Sequence, residues 1–340
     1  KRWEQNWSYL CMVVSFMAII MGSSDNAYLA VGALFALLPL LLFRKKSGVV
    51  RYLVMVSTFA TVMQVIDFLN HTYENTVVGL GGLFQILTDM SGLLPLTVML
   101  WGITAVVYSC LMRRNSADSA PNVTRKAAPN AARNVTQKAA PNAAQKGTQN
   151  AEQNMQQGNE IGKWLRQTWL GFLIAVFCVI VFMAIDANVL GHGARYGRLE
   201  SYLVFNDSWG TNRGYIWRKS LEVYGKFSTA HKLFGYGPDT FGILATRGFM
   251  GDMLEKTGLV FDTAHNEYIQ YLLTIGPIAL LGYLVFLVGS CRTMVKAYRK
   301  NPYILACVTG VLCYGVQAIV NLNLPIVTPM LWFWLSVGTV

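Results

Sequence analysis

The chain has 340 residues, of which 54% are hydrophobic and only 13% are charged. A soluble domain of this length needs more charge to cover its surface, so the composition excludes an ordinary soluble protein. The formal net charge is +11, but most of the excess lies in loops that would share one side of a membrane. It therefore does not indicate nucleic-acid binding, and we expect no nucleic-acid partner.

The hydrophobic residues are clustered in long runs, near the ~20 residues that a helix needs to cross a bilayer. Seven runs are present, at about Tyr9–Gly22, Ala27–Phe43, Val49–Leu69, Leu93–Met112, Trp169–Ile185, Ile269–Gly289 and Tyr303–Val320. An eighth begins near Thr328 and continues to Val340. Because the chain also begins with Lys1, we expect it to be part of a longer protein. The sequence predicts an all-α fold, a polytopic transmembrane helix bundle with a large helical extracytoplasmic loop.

Lysine and arginine predict the orientation of these helices. If the N-terminus is cytoplasmic, alternate loops place nineteen of the 28 basic residues on the cytoplasmic side. The other nine lie in residues 187–268, which we call the polar segment, and nine acidic residues at 186–267 balance them. The polar segment is then the large extracytoplasmic loop.

Composition divides the chain into three predicted parts. Residues 1–112 form a four-span membrane segment. Residues 113–163 contain the repeats APNAARNVTQKA and APNAAQKGTQNA, with several prolines and almost nothing to bury. Such a stretch predicts a disordered, repetitive cytoplasmic linker. Residues 164–340 form a second membrane segment, and we expect its loop 187–268 to carry the functional site.

Local patterns predict the elements of the polar segment. Thr211 or Asn212 is expected to cap a helix over about 213–229. Three side chains at helical spacing are expected to share one face of it: Trp217, Leu221 and Tyr224.

Two glycine-containing motifs follow. Gly235-Tyr-Gly-Pro-Asp predicts a turn. Gly276-Pro277 interrupts an apolar run and predicts a kink or break, because proline removes a backbone donor and clashes with the preceding turn.

Arginines and one histidine are the candidates for chemistry in the polar segment. Guanidinium groups bind phosphate through a bidentate fork and a permanent charge, and they can neutralise a departing diphosphate. His265 can exchange a proton near neutral pH, as can His192 and His231. Asn266 and Glu267 follow His265 directly and are expected to orient it. Structural ion pairs and a structural histidine remain the alternative.

The six cysteines lie in or beside apolar runs without metal-ligand spacing, and no histidine motif for a metal is present. We therefore expect no metal site and no cofactor.

Three motifs together resemble the bacterial O-antigen ligase/polymerase family. They are an Arg-x-x-x-Trp segment, a Gly-x-Gly-x-x-x-Phe turn and a His-Asn pair before a membrane helix, found here as Arg213 with Trp217, Gly235 with Gly237 and Phe241, and His265 with Asn266. The likeness is close over about Gly210–Val288. Beyond that range it extends only to the pattern of apolar spans.

The resemblance implies transfer of a glycan from a polyprenyl diphosphate carrier to an acceptor hydroxyl, at the outer face of the bacterial plasma (inner) membrane. It implies catalytic roles for His265 and Arg213, with Trp217, Gly235, Gly237, Asn266 and Glu267 in support. A second diphosphate-binding arginine is left open between Arg218 and Arg247. The implied partners are the lipid-linked glycan, an acceptor glycan or lipid, and membrane lipids, with no metal.

Two alternatives are a non-enzymatic membrane transporter and a catalytically dead scaffold of polysaccharide export. Transport predicts ionisable residues within the spans, and the runs contain essentially only Asp67, near a span end. A dead scaffold is compatible with the sequence, although the presence of both Arg213 and His265 argues against it.

Overall fold

The structure is a computed structural model that describes residues 2–73, 80, 82–89, 92–118, 163–322 and 326–339. Helices dominate these residues and no β-strand occurs among them, which confirms the predicted all-α fold. The helices are α1 (Arg2–Met21), α2 (Asp25–Leu42), α3 (Lys46–Thr72), α4 (Gly82–Thr88), α5 (Leu93–Asp118), α6 (Lys163–Asn188), α7 (Glu200–Leu203), α8 (Trp209–Gly225), α9 (Thr229–Phe234), α10 (Phe241–Thr257), α11 (Glu267–Thr274), α12 (Gly276–Ala297), α13 (Ile304–Gln317) and α14 (Thr328–Thr339).

Five of the described helices are long and apolar enough to cross a membrane: α2, α3, α5 over Leu93–Leu111, α6 and α12. They coincide with five of the predicted runs, and the polytopic character is confirmed. The predicted run Tyr9–Gly22 lies in α1, which is outside this set and begins with the polar turn Arg2-Trp-Glu-Gln-Asn. Helix α13 is apolar but shorter.

The predicted break at Gly276-Pro277 is confirmed. Helix α11 ends at Thr274 and α12 begins at Gly276, whose φ is 76°. Pro277 sits in the first turn of α12, where its missing N–H costs no hydrogen bond.

The predicted linker falls mostly outside the described residues, which stop at 118 and resume at 163. Its disorder and its cytoplasmic location stay predictions.

The chain divides into two compact units, of which the first comprises Lys1–Met17, Pro39–Val77 and Thr88–Leu170. Within it α3 and α5 pack along each other. The buried hydroxyls of Ser57 and Thr104 lie 3.1 Å apart across this contact. Small hydroxyl-bearing residues of this kind allow membrane helices to approach and to hydrogen-bond.

The second unit comprises Ala18–Leu38, Val78–Leu87 and Gly171–Val340, and so contains the polar segment. Helices α12, α13 and α14 pack together in it. The polar segment has a hydrophobic core of its own between α8, α10 and α11, formed by Tyr215, Ile216, Phe241, Leu244, Ala245, Phe249, Met253, Ala264 and Leu273. This core fixes the side chains that point away from it.

The predicted cap of α8 is wrong. Gly210, Thr211 and Asn212 have φ values of 59°, 62° and 69°, so helical backbone begins only at Arg213. A capping residue has an extended backbone and accepts a hydrogen bond from the next turn. Thr211 and Asn212 have left-handed backbone instead, and they form a tight turn rather than a cap.

The buried face of α8 also differs from the predicted one. Its buried residues include Tyr215, Ile216 and Ser220, whereas Leu221 is 50% exposed. The predicted stripe would be the buried face only if α8 packed against a single neighbour. In the structure, Tyr215 and Ile216 pack in the core shared with α10, while Trp217 turns to the loop before α11.

Candidate functional site

Arg213 follows the left-handed turn at 210–212. Residues with side chains adopt this conformation at a cost of roughly 1–2 kcal/mol each, and such strain is concentrated at functional sites. The Arg213 side chain folds back on this turn, and its Nη1 group donates to the carbonyl oxygen of Gly210 at 3.0 Å.

The rest of the Arg213 guanidinium is unengaged. Its Nε is buried and has no hydrogen-bond partner. None of the ion pairs among the described residues includes it. Burial lowers the pKa of Arg213, while the negative charge of Asp25 acts in the opposite direction. The half-buried guanidinium is partly removed from water without an ion pair among the described residues, and a bound anion would offset that cost.

Arg213 lies at one end of a cavity of about 850 Å³, which we call the arginine cavity. Asp25 and Tyr202 share that polar end. The wall formed by α2 is largely apolar and includes Leu29, Gly32, Ala33, Ala36 and Leu37. The cavity therefore combines a cationic group with a wall suited to hydrocarbon.

Asp25 is a member of this site that the sequence did not single out. Its carboxylate accepts a hydrogen bond from the Tyr202 hydroxyl at 3.0 Å and from the backbone N–H of Leu83 at 3.4 Å. Burial, together with Asp25, raises the pKa of Tyr202 to about 12. An acidic residue in the first turn of a helix is ordinary, so its position at the start of α2 gave little signal.

His265 lies in the loop before α11 and has a φ of 49°, a value that is rare for a residue with a side chain. Burial lowers its pKa, the positive charge of Arg213 lowers it further, and Asp262 opposes both. The two residues predicted to be catalytic thus interact electrostatically. The imidazole, with its pKa below the ordinary 6.5, is neutral at pH 7.

The imidazole borders a second cavity of about 270 Å³, which we call the histidine cavity. No hydrogen bond to His265 occurs within the described residues, and its ring contacts that of Phe261 edge-on at 5.5 Å between centroids. The other walls are mostly polar and include Asp239, Thr263, Asn266, Gln270 and Tyr271. The imidazole is therefore free to meet a ligand.

Trp217 joins helix α8, which carries Arg213, to the loop that carries His265. Its indole Nε1 donates to the carbonyl oxygen of Ala264 at 3.0 Å, and the Gln270 side chain accepts from the Ala264 N–H at 2.9 Å. Ala264 is fully buried. The residue before His265 is therefore held on both sides of its backbone.

Asn266 and Glu267 position the loop rather than the imidazole. Asn266 Oδ1 accepts from the N–H of Ile269 at 2.9 Å and so caps α11. Glu267 is 1% exposed and accepts from the hydroxyls of Tyr283 at 3.0 Å and Tyr314 at 2.7 Å. It thereby fastens the start of α11 to α12 and α13.

Gly235 and Gly237 bring the turn against the end of α11. The N–H groups of Tyr236 and Gly237 donate to the carbonyls of Leu273 and Thr274, both at 2.8 Å. Gly235 has a φ of 76°, and a Cβ there would lie 2.4 Å from the carbonyl of Thr274. Only glycine permits this approach.

The two candidates for a second diphosphate-binding arginine lie elsewhere. Arg218 donates to Asp207 at 3.0 and 2.7 Å and to Glu222 at 2.7 Å, and these hydrogen bonds raise its pKa. Arg247 is exposed on α10. Neither borders the arginine cavity or the histidine cavity. Arg213 and His265 border different cavities and are linked by the effect of the Arg213 charge on the His265 pKa, and the choice of a second arginine stays a prediction.

Comparison with known proteins finds one family match, over part of the chain. Residues 161–284 match the family model described as O-antigen ligase. The match contains Arg213, Trp217, the turn at 235–237 and His265, and it supports glycan transfer of the ligase/polymerase type in general by an integral membrane protein. No curated protein matches the chain. The match supports an assignment of residues 161–284 to the O-antigen ligase/polymerase family.

Proposed function

We propose that this protein transfers a glycan from a polyprenyl diphosphate carrier to an acceptor hydroxyl. One observation carries the proposal: the half-buried guanidinium of Arg213, which forms no ion pair among the described residues, lies at the polar end of a cavity with an apolar wall. A lipid diphosphate has the matching chemistry, an anionic head joined to a hydrocarbon chain. His265, whose pKa the charge of Arg213 lowers, supplies a neutral proton acceptor.

The arginine cavity takes the donor. Its diphosphate lies against Arg213, whose planar guanidinium and permanent charge suit phosphate oxygens. The first isoprene units run along α2, where Gly32, Ala33 and Ala36 leave room beside the helix. The attached glycan extends away from the apolar wall.

The reaction uses the two residues in turn. The acceptor hydroxyl attacks the anomeric carbon of the donor sugar, and the bond from that carbon to the diphosphate oxygen breaks. His265 receives the hydroxyl proton, which its lowered pKa leaves it free to accept at neutral pH. Arg213 stabilises the negative charge that develops on the departing diphosphate. No metal or cofactor is required by this scheme.

The proposed setting is the bacterial plasma (inner) membrane, with the polar segment on the extracytoplasmic side. The distribution of lysine and arginine along the sequence supports this orientation. The partners are then the lipid-linked glycan, an acceptor glycan or lipid, and the surrounding lipids.

The test is a transfer assay on membranes that carry equal amounts of wild type, Arg213→Ala, His265→Ala and the control Glu255→Gln. Glu255 is an exposed carboxyl outside both cavities. With a polyprenyl-diphosphate glycan and an acceptor glycan supplied, wild type and the control should transfer. The two other variants should lose at least roughly 100-fold, the scale of a lost general base or charge contact. Transfer by Arg213→Ala at the wild-type rate would contradict the proposal.

A further inference from the structure

The histidine cavity is smaller and more polar than the arginine cavity. Its volume of about 270 Å³ lies just below the range of pockets for drug-sized molecules, which suits a ligand the size of one sugar ring. Apart from His265, its polar walls come from three places: Asp239 in the turn, Thr263 in the loop, and Asn266 and Gln270 around the start of α11.

Several of these polar groups are unengaged. Asn266 and Gln270 each use the side-chain oxygen to accept a backbone hydrogen bond, at 2.9 Å in both cases. Each amide nitrogen is thereby left as a donor without a partner in the described part of the chain. The hydroxyl of Thr263 is buried and also unpartnered. Amide nitrogens that line a cavity and have no partner in the described part of the chain can donate to a ligand, so Asn266 and Gln270 suit a hydroxyl-rich one.

Asp239 adds a carboxylate at the mouth of the cavity. It forms no ion pair among the described residues, and its φ of 55° places it in the left-handed region. The other charged groups that act on His265 are Asp262, which is exposed, and Arg213, which borders the arginine cavity. The histidine cavity itself thus presents a negative charge and no positive one at pH 7.

We infer that the histidine cavity binds the terminal sugar ring of the acceptor and selects a ring that carries hydroxyl or amino groups rather than a carboxylate. The amide nitrogens of Asn266 and Gln270 donate to sugar oxygens, and Asp239 accepts from hydroxyl or amino groups. A uronate ring would place its carboxylate near Asp239 without a cation to offset the repulsion. The role as acceptor rests on the proposed function, whereas binding of the sugar ring does not.

The two cavities then bind different substrates. The donor diphosphate occupies the arginine cavity, and the acceptor ring occupies the histidine cavity. His265 borders the second cavity and interacts electrostatically with Arg213 in the first. A hydroxyl held beside the imidazole is therefore next to the group that takes its proton.

The test is saturation-transfer NMR on the full chain in nanodiscs. The probes are the methyl glycosides of glucose, galactose, mannose, rhamnose, glucosamine and N-acetylglucosamine, with glucuronate and galacturonate glycosides as the acidic counterparts. The variants are Asp239→Asn, which keeps the shape and tolerates the positive φ, and Gln270→Glu, which keeps the oxygen that holds Ala264. Glu255→Gln is the matched control for a lost exposed carboxyl.

Wild type and the control should bind at least one hydroxyl- or amino-bearing glycoside at least roughly tenfold more tightly than its uronate counterpart. Asp239→Asn should reduce that preference to below about threefold. Gln270→Glu should weaken binding of uncharged glycosides roughly fivefold, the loss of one neutral hydrogen bond. Absence of binding by every uncharged and amino glycoside, equal binding of uronates, or unchanged binding in both variants would overturn the inference.

Geranyl diphosphate binding to the same samples separates this inference from the proposed function. Binding that Arg213→Ala abolishes, without any glycoside binding, would retain the proposed donor site and overturn the acceptor site. Glycoside binding without diphosphate binding would retain the sugar site and contradict the proposed donor chemistry.

Discussion

The indole of Trp217 donates a hydrogen bond to the carbonyl oxygen of Ala264, 3.0 Å away. Trp217 lies one helical turn after Arg213, and Ala264 directly precedes His265. The bond therefore joins the helix that carries the arginine to the loop that carries the histidine. The Arg-x-x-x-Trp spacing has a physical reason: one side chain borders a cavity, and the next turn of the same helix positions the partner residue.

Trp217→Phe should lower glycan transfer by roughly tenfold. Phenylalanine keeps most of the ring packing but leaves the buried Ala264 carbonyl without its donor, at a cost of ~1–3 kcal/mol. The loop would relax and His265 would lose its fixed position. Initial rates at saturating donor should show the effect on kcat.

Trp101→Phe is the matched control for this substitution. The Trp101 indole donates to the Thr61 hydroxyl at 2.9 Å in the other compact unit, so the same donor atom and one hydrogen bond are lost there. Its transfer rate should stay within a factor of two of wild type. A similar loss in both variants would mean that the effect reflects general destabilisation and not the positioning of His265.

Sequence reasoning singled out Arg213 and His265 through the motifs that resemble the O-antigen ligase/polymerase family, and their catalytic roles stay predictions. It also identified the break at Gly276-Pro277, since proline acts locally on the helix that contains it. These inferences depend on single residue types and short spacings. They do not depend on which residues pack around these positions.

Inferences that depended on tertiary packing were less successful. Asp25 is far from Arg213 along the chain, and only the fold brings α2 beside the polar segment. The face of α8 was assigned from one stripe, whereas the helix contacts both α10 and the loop before α11. Arg218 was a candidate for the second diphosphate-binding arginine, and the sequence did not show that Asp207 would engage it in an ion pair.

Gly235→Ala should be strongly destabilising, and Gly258→Ala should be mild. Gly258 has left-handed backbone, where alanine costs ~1–2 kcal/mol, whereas Gly235 has φ 76° and ψ −179°, a conformation that is essentially restricted to glycine. A Cβ on Gly235 also meets the Thr274 carbonyl at 2.4 Å, whereas nothing lies within 4 Å of one on Gly258.

Thermal unfolding in detergent measures this difference. Gly235→Ala should lower the Tm by several degrees more than Gly258→Ala and should also lose transfer, since the turn would separate from the end of α11. Equal Tm values for the two variants would show that the contact between the turn and Thr274 does not contribute to stability.

Arg218→Ala and Asp207→Ala should have the same modest effect. The two residues share a bidentate ion pair, and Arg218 also binds Glu222. The pair is largely exposed, so each variant should lose ~0.5–1 kcal/mol of stability, and the double variant should lose little more than either single one. A double-mutant cycle on urea unfolding tests this. A transfer defect in Arg218→Ala far beyond that of Asp207→Ala would instead support a direct role for Arg218 with the diphosphate.

Substitution of the charges near His265 should move its pKa in opposite directions. The positive charge of Arg213 lowers this pKa and the negative charge of Asp262 raises it. Arg213→Gln should therefore raise the His265 pKa, and Asp262→Asn should lower it further. NMR titration of histidine-labelled protein measures both, with the His265 signal assigned by its loss in His265→Gln.

The lowered pKa of His265 also determines the expected pH profile of transfer. If His265 is the general base, its neutral form is required, so transfer should fall as the pH drops through its pKa, below the ordinary 6.5. Asp262→Asn should move this acidic limb to lower pH. A limb that stays fixed while the His265 signal moves would exclude the imidazole as the titrating group.

Asp25→Asn should tighten binding of the lipid diphosphate and slow its release. Asp25 shares the polar end of the arginine cavity with Arg213, and its negative charge acts on that guanidinium. It therefore offsets part of the positive charge that a diphosphate would use, and it repels the diphosphate itself. Asparagine keeps one acceptor oxygen for the Tyr202 hydroxyl and loses only the long hydrogen bond from the Leu83 N–H, so the shape of the cavity should be retained.

The expected change is a roughly five- to tenfold lower Kd for geranyl diphosphate, or ~1–1.4 kcal/mol. The kcat should fall if product release limits the rate, because the diphosphate left after transfer is the more highly charged species. Tyr202 should report the same loss, since its pKa of about 12 depends partly on Asp25 and should decrease in the variant. Weaker diphosphate binding in Asp25→Asn, with Glu255→Gln unchanged, would mean that Asp25 supports the anion site by positioning Arg213 rather than competing for it.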